Sequence, residues 1–171
     1  VGCESAYEAD EIRKATGCRA IGIDADPKVE AESPHVEFHR ALIGATDCVG
    51  MTFYTNVASG LSSPYFRPGE SGQQTKHYPQ WRLDTFCREY EISPDALIVD
   101  AEGAGLDVLE GCGALLDSLK VAYVEVNHTL RPGTRPAEMC DALMAAHGMT
   151  RHEGLPSYCA GDQSNWTWVR K

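Results

Sequence analysis

Two carboxylates set two residues apart, in Asp100-Ala101-Glu102-Gly103, carry the most chemistry in this chain. They close the apolar run that begins at Ala96, and an amphipathic stretch follows, with Leu106, Val108 and Leu109 apolar and Asp107 and Glu110 polar. A strand that delivers acids at its C-terminal end, just before a helix, stands where open α/β sheets bind ligands. Acids at that spacing share a face if the strand continues. Brought close, they repel, which raises one pKa toward the range of a general base. Asp, Glu and Gly are also ordinary turn residues, so a plain solvated turn has the same spelling. Mg²⁺ would suit two hard oxygen ligands, but the local sequence offers no compelling third acid, and no metal is expected.

Other candidates lie at other strand ends. Asp24 closes the run Arg19-Ala20-Ile21-Gly22-Ile23 and is followed by Asp26-Pro27. Glu125-Val126-Asn127-His128 ends a further run, and His128 is the imidazole best placed for proton transfer near neutral pH. An exposed loop histidine reads the same way. His39 stands in a strand, where a satisfied structural histidine is the simpler account. Ser59, Ser62, Ser63 and Tyr65 could line an acceptor pocket, since specificity resides in loops. Trp81, Trp166 and Trp168 read as core or sheet-face residues.

The elements that must position these groups follow from periodicity. A helix is predicted from Ala6 to Ala15, stopped at Thr16-Gly17. Strands are predicted at 19–24, over Val36–Ile43 and over Val49–Thr55. Residues 56–80, rich in Ser, Gly, Pro, Gln and Tyr, read as a long acceptor-side loop. Then come a brief strand at 80–83, a short helix from Asp84 to Tyr90, the strand and helix around Asp100, and a strand at Val121–Val126. A helix from Arg135 to His147 and an antiparallel pair, Met149–His152 with Asn165–Arg170, close the chain. Strands alternating with helices predict one α/β domain over 1–171, with a mostly parallel sheet covered on both faces.

Composition narrows the partners. With 25 acidic against 15 basic residues and a formal charge of −10, the surface repels phosphate backbones, which disfavours nucleic acid. No apolar run approaches the roughly 20 residues of a membrane span, and no signal segment opens the chain. The seven cysteines form no CxxC pair, which argues for free thiols in a reducing compartment, the cytosol by default.

In order and spacing, the chain resembles the FkbM family of S-adenosylmethionine-dependent methyltransferases. The residues that carry the resemblance are Val1-Gly2-Cys3, Ile23-Asp24-Ala25-Asp26-Pro27, His39-Arg40-Ala41-Leu42 and Arg82-Leu83-Asp84-Thr85-Phe86. Asp100-Ala101-Glu102-Gly103-Ala104 with Val108-Leu109-Glu110-Gly111 is the specific part, and Val124-Glu125-Val126 completes the set. Three departures stand out. The first strand is largely missing before Val1, Ile98 replaces a lysine, and Gly105 replaces a glutamate.

The resemblance implies a Rossmann-like class I methyltransferase with an antiparallel C-terminal hairpin. It implies S-adenosylmethionine as cofactor and a small-molecule or saccharide hydroxyl as acceptor. Gly2, Asp24, Ala41 and Asp100 would meet the cofactor, with Asp24 accepting the ribose hydroxyls. Asp100, Glu102 and His128 would serve the chemistry, while Glu4 near the cofactor's ammonium reads equally well as a solvated acid. A nicotinamide cofactor predicts G-x-G-x-x-G at the first turn, and no second glycine follows Gly2 until Gly17. The competing class is a non-catalytic binding domain that keeps the fold, for which Ile98, Gly105 and the abrupt start are the support.

Overall fold

The computed structural model describes residues 1–3, 7–29, 33–56, 62–66, 72–128, 133–153, 159–160 and 163–171. Helix α1 (Tyr7–Thr16) leads into β1 (Ile21–Asp24), which pairs in parallel with β2 (Glu37–Arg40). A second sheet holds β3 (Leu42–Ile43), β5 (Gln73–Trp81) and β4 (Cys48–Asn56) in that order. Helix α2 (Leu83–Glu89) then leads to β6 (Ala96–Val99), α3 (Gly105–Cys112) with a 3-10 turn to Asp117, β7 (Val121–Asn127) and α4 (Glu138–Ala146). The chain closes through β8 (Met149–Arg151), β9 (Cys159–Ala160) and β10 (Gln163–Arg170). In the third sheet β6 lies parallel to β7, while β10 runs antiparallel to β7 on one side and to β8 and β9 on the other.

The expected mostly parallel sheet is therefore a mixed arrangement. Pairs β1–β2, β3–β5 and β6–β7 are parallel, but β4–β5 and every pair made by β10 are antiparallel. The C-terminal hairpin stands as expected, with β10 inserted between β7 and β8.

The long loop expected over 56–80 is corrected too, because its second part is strand β5. Its side chains from Gln74 to His77 are exposed, so no alternation of apolar residues announces it. Pairing supplies the register instead, running from Cys48↔Gln80 to Asn56↔Gln73. The ladder shifts between Cys48 and Met51, opposite Pro79, which has no N–H to give it. The single strand expected over Val36–Ile43 also divides, at Ala41. There the Ala41 N–H donates to Asp24 O at 3.0 Å and the next two residues join the other sheet.

Val1 and Gly2 lie between the ends of β1 and β6. Gly2 N–H donates to Ile23 O (2.9 Å), the Val1 amine donates to Ile98 O (2.8 Å), and Asp100 N–H donates to Val1 O (3.0 Å). This is the place expected for the tip of the first strand. It brings the C-terminal ends of β1 and β6 to one edge.

The main core packs α2, α3 and α4 on the face of β6 and β7 that carries Leu97, Val99, Ala122, Val124 and Val126. Each fully buried aliphatic side chain there contributes about 1.5–3 kcal/mol. On the other face of β6, among the described residues, Ala96 is exposed and Ile98 is 39% exposed. Helix α3 packs closely on the turn after β3. A Cβ at Gly111 would lie 2.1 Å from Gly44 O, which explains why the Val-Leu-Glu-Gly segment ends in glycine.

Candidate active site

A cleft opens where β1, β3 and β6 end, with an empty volume of about 790 Å³ counted out to its mouth. Its floor is the Val1-Gly2 bridge. Gly2 has φ +65, and a Cβ there would meet Asp100 O at 1.8 Å, so only glycine allows this contact between the two strand ends. One wall is apolar, from Ala41, Leu42, Ile43 and Phe53. The rest is acidic: Asp24 and Asp26 from the end of β1, and Asp100 and Glu102 from the end of β6.

Each acid is held by the turn that presents it. Asp24 Oδ1 accepts the Asp26 N–H (2.8 Å), and Asp26 Oδ1 accepts the Lys28 N–H (2.9 Å). Asp26 is only 4% exposed, and its Oδ2 accepts the Ser62 hydroxyl. Glu102 takes a left-handed backbone conformation, φ +49, which turns the chain from β6 into α3.

Residues 62–66 form a strap across this edge. Ser63 exchanges backbone hydrogen bonds with Tyr54 (2.8 and 3.0 Å), and its hydroxyl donates to Glu102 O (2.8 Å). The Tyr65 hydroxyl donates to Asp107 on α3, and burial followed by that carboxylate pushes its pKa well up. Arg135 fixes the same corner, donating to Asp107 and, at 2.7 Å, to Glu110. Of the loop residues expected at an acceptor pocket, Ser62 lines the cleft, Ser63 and Tyr65 fasten the strap, and Ser59 lies outside the described residues.

The structure brings Gly2, Asp24, Ala41, Asp100 and Glu102 together around the cleft. It does not bring His128 there. That ring ends β7, shares a 2.6 Å hydrogen bond with Ser164 Oγ, and packs near Trp166 with centroids 5.8 Å apart. His39 is structural, hydrogen-bonded to Glu37 at 2.8 Å and edge-on to Phe86 and Tyr90. Glu4 lies outside the described residues. Cys3 is not a poised nucleophile, since burial pushes its thiol up to about 11.

Three residues received no site role from sequence reasoning. Asp26 was visible beside Asp24, and its burial singles it out only in three dimensions. Glu125 supplies the third acid that the local sequence lacked, because β7 lies beside β6. One carboxylate oxygen each from Asp100, Glu102 and Glu125 fall within 4.8 Å of one another. Asn127, two residues on, had no signal in the sequence at all.

The sequence profile of the methyltransferase FkbM domain matches residues 7–150. The chain therefore belongs to the FkbM methyltransferase family, and methyl transfer is its class of reaction. No curated protein matches it. No solved structure matches it either. Among the described residues, no helix is long and apolar enough to cross a membrane.

Proposed function

We propose that the cleft binds S-adenosylmethionine and that the protein methylates a hydroxyl of a small molecule or saccharide. One observation carries this reading: four carboxylates line the cleft, and among the described residues no lysine, arginine or histidine side chain does. Such a site repels phosphates and favours a ligand that brings positive charge and hydroxyl donors. A sulfonium with an ammonium and a ribose meets both demands, whereas a dinucleotide brings ribose hydroxyls together with a pyrophosphate that these carboxylates repel.

When bound, S-adenosylmethionine supplies an electrophilic methyl group carried on its sulfonium. Asp24 and Asp26 would accept the ribose hydroxyls, as acids at this strand end do in related nucleotide-binding folds. Gly2 leaves its backbone open to the amino-acid end, and Ala41, Leu42 and Phe53 offer an apolar wall for the base. Asp100 and Glu102, on the opposite strand end, would take the proton of the acceptor hydroxyl and hold it in line. On this reading the strand order β2, β1, residues 1–2, β6, β7, β10, β8 is that of a Rossmann-like class I domain, with the strap over 62–66 on the acceptor side.

Calorimetric titration tests it. S-adenosylmethionine should bind at one site per chain, and NAD⁺ should give no saturable heat. Failure to bind S-adenosylmethionine at millimolar concentration would overturn the proposal.

A further inference from the structure

We infer that a hard divalent cation binds where β6 and β7 end, held by the carboxylates of Asp100, Glu102 and Glu125 and the side-chain carbonyl of Asn127. The parallel register Ala96↔Val121 and Ile98↔Tyr123 brings Asp100 beside Glu125 when it is continued by two residues. Both carboxylates also act on Tyr123, whose phenol is pushed up by burial first and then by Asp100 and Glu125. The three carboxylate oxygens that lie within 4.8 Å of one another already have the spread of a coordination shell. With metal–oxygen distances of about 2.1 Å for Mg²⁺ and about 2.4 Å for Ca²⁺, opposite ligands stand about 4.2–4.8 Å apart.

Acidic clusters are common on protein surfaces without any ion, and the second observation is Asn127. It is 6% exposed, and its Oδ1 is buried with no hydrogen-bond partner. Standing two residues after Glu125 on the same strand, it projects from the same face. Its carboxamide lies beside the turn after Glu102, with Nδ2 3.8 Å from where a Cβ at Gly103 would stand, and a half-turn of the amide plane exchanges Nδ2 for Oδ1 there. A buried carbonyl without a donor is costly, and three converging carboxylates add repulsion. A single cation answers both. Gln163 supports the arrangement from outside, donating through Nε2 to Glu125 Oε1 at 3.0 Å. An all-oxygen donor set selects Mg²⁺, Mn²⁺ or Ca²⁺ over softer metals.

Asp100 and Glu102 also line the cleft, so the cation stands at its edge. If the methyl-transfer reading holds, on which this step alone rests, the favoured acceptor is one whose adjacent oxygens, such as a vicinal diol, complete the shell. A carboxylate has two oxygens, so holding the cation and accepting a proton are compatible.

The test is calorimetric titration of the protein with MnCl₂, alongside thermal unfolding with and without the metal. One Mn²⁺ should bind per chain, be displaced by Mg²⁺ or Ca²⁺, and raise the unfolding temperature. Glu125→Gln and Asn127→Ala should each weaken Mn²⁺ binding at least tenfold and remove most of the thermal shift. Glu89→Gln, an exposed acid on α2, should change neither. Lack of a saturable site in the wild type, or equal Mn²⁺ affinity in the wild type and both site variants, would overturn the inference. Mn²⁺ is titrated without S-adenosylmethionine, so this result and the cofactor result fail independently.

Discussion

A methyl group added at Gly105 would lie 2.6 Å from the carbonyl oxygen of Glu125 and 3.0 Å from Val124 Cγ1. The first residue of α3 thus rests directly on β7, which fixes the height at which the Asp100–Glu102 turn leaves the sheet. A glutamate at this position would have no room, so Gly105 is a packing requirement of this chain and says nothing against catalysis. Gly105→Ala should destabilise the protein by about 1–3 kcal/mol through overpacking. Gly50→Ala, where a Cβ meets nothing within 4 Å, is the control and should change stability far less. Urea unfolding of both variants reads the difference.

The proposed roles of the two acids separate in kinetics. Asp100→Asn and Glu102→Gln keep size and shape but cannot take a proton. At least one should lower kcat by 100-fold or more while cofactor affinity stays within a few-fold of wild type. Asp100 is the stronger candidate, because its backbone is pinned to Val1 at the strand end. Unchanged kcat in both variants would remove them from the proton-transfer step.

Asp24 should report on the ribose end. A hydrogen bond to a charged group is worth about 1.5–3 kcal/mol, so Asp24→Ala should weaken S-adenosylmethionine binding roughly 10- to 100-fold. Calorimetry measures this, and wild-type affinity in the variant would move the ribose contact to Asp26 alone.

Thiol reactivity should follow burial. Cys18 and Cys48 are exposed, whereas burial pushes Cys87 up to about 11 and Cys112 and Cys140 to about 12. The thiolate is the reactive form. Alkylation at pH 8 followed by peptide mass mapping should therefore label Cys18 and Cys48 well before those three, and denaturant should abolish the difference.

Acid stability has an identifiable contributor at Asp84. Arg82 Nη2 stands 2.7 Å from its carboxylate, and this hydrogen bond holds the Asp84 pKa below the ordinary 3.8. A lowered folded pKa gives stability that is fully present above the unfolded value and lost as pH falls through the folded one. Asp84→Asn should therefore flatten the loss of stability below pH 3.8, measured by thermal unfolding across an acid series.

Local structure was legible along the chain. The run Ala96–Val99 ending on Asp100, the helix carrying Leu106, Val108 and Leu109, and the closing pair of strands were legible, because apolar periodicity and turn residues are local signals. The family pattern was legible for the same reason, as spaced residues along one chain. Tertiary structure decided what depends on neighbours far away in sequence. Strand β5 has almost no apolar alternation and exists because β3 and β4 pair with it. His128 ends the right strand yet leans toward Ser164 and Trp166, since β10 lies beside it. Glu125 and Asn127 gain their meaning only because the parallel register of β6 and β7 lays one strand end against the other. A pattern of types along the chain fixes which elements form, whereas the convergence of charges and the contacts that only glycine can satisfy are properties of packed surfaces.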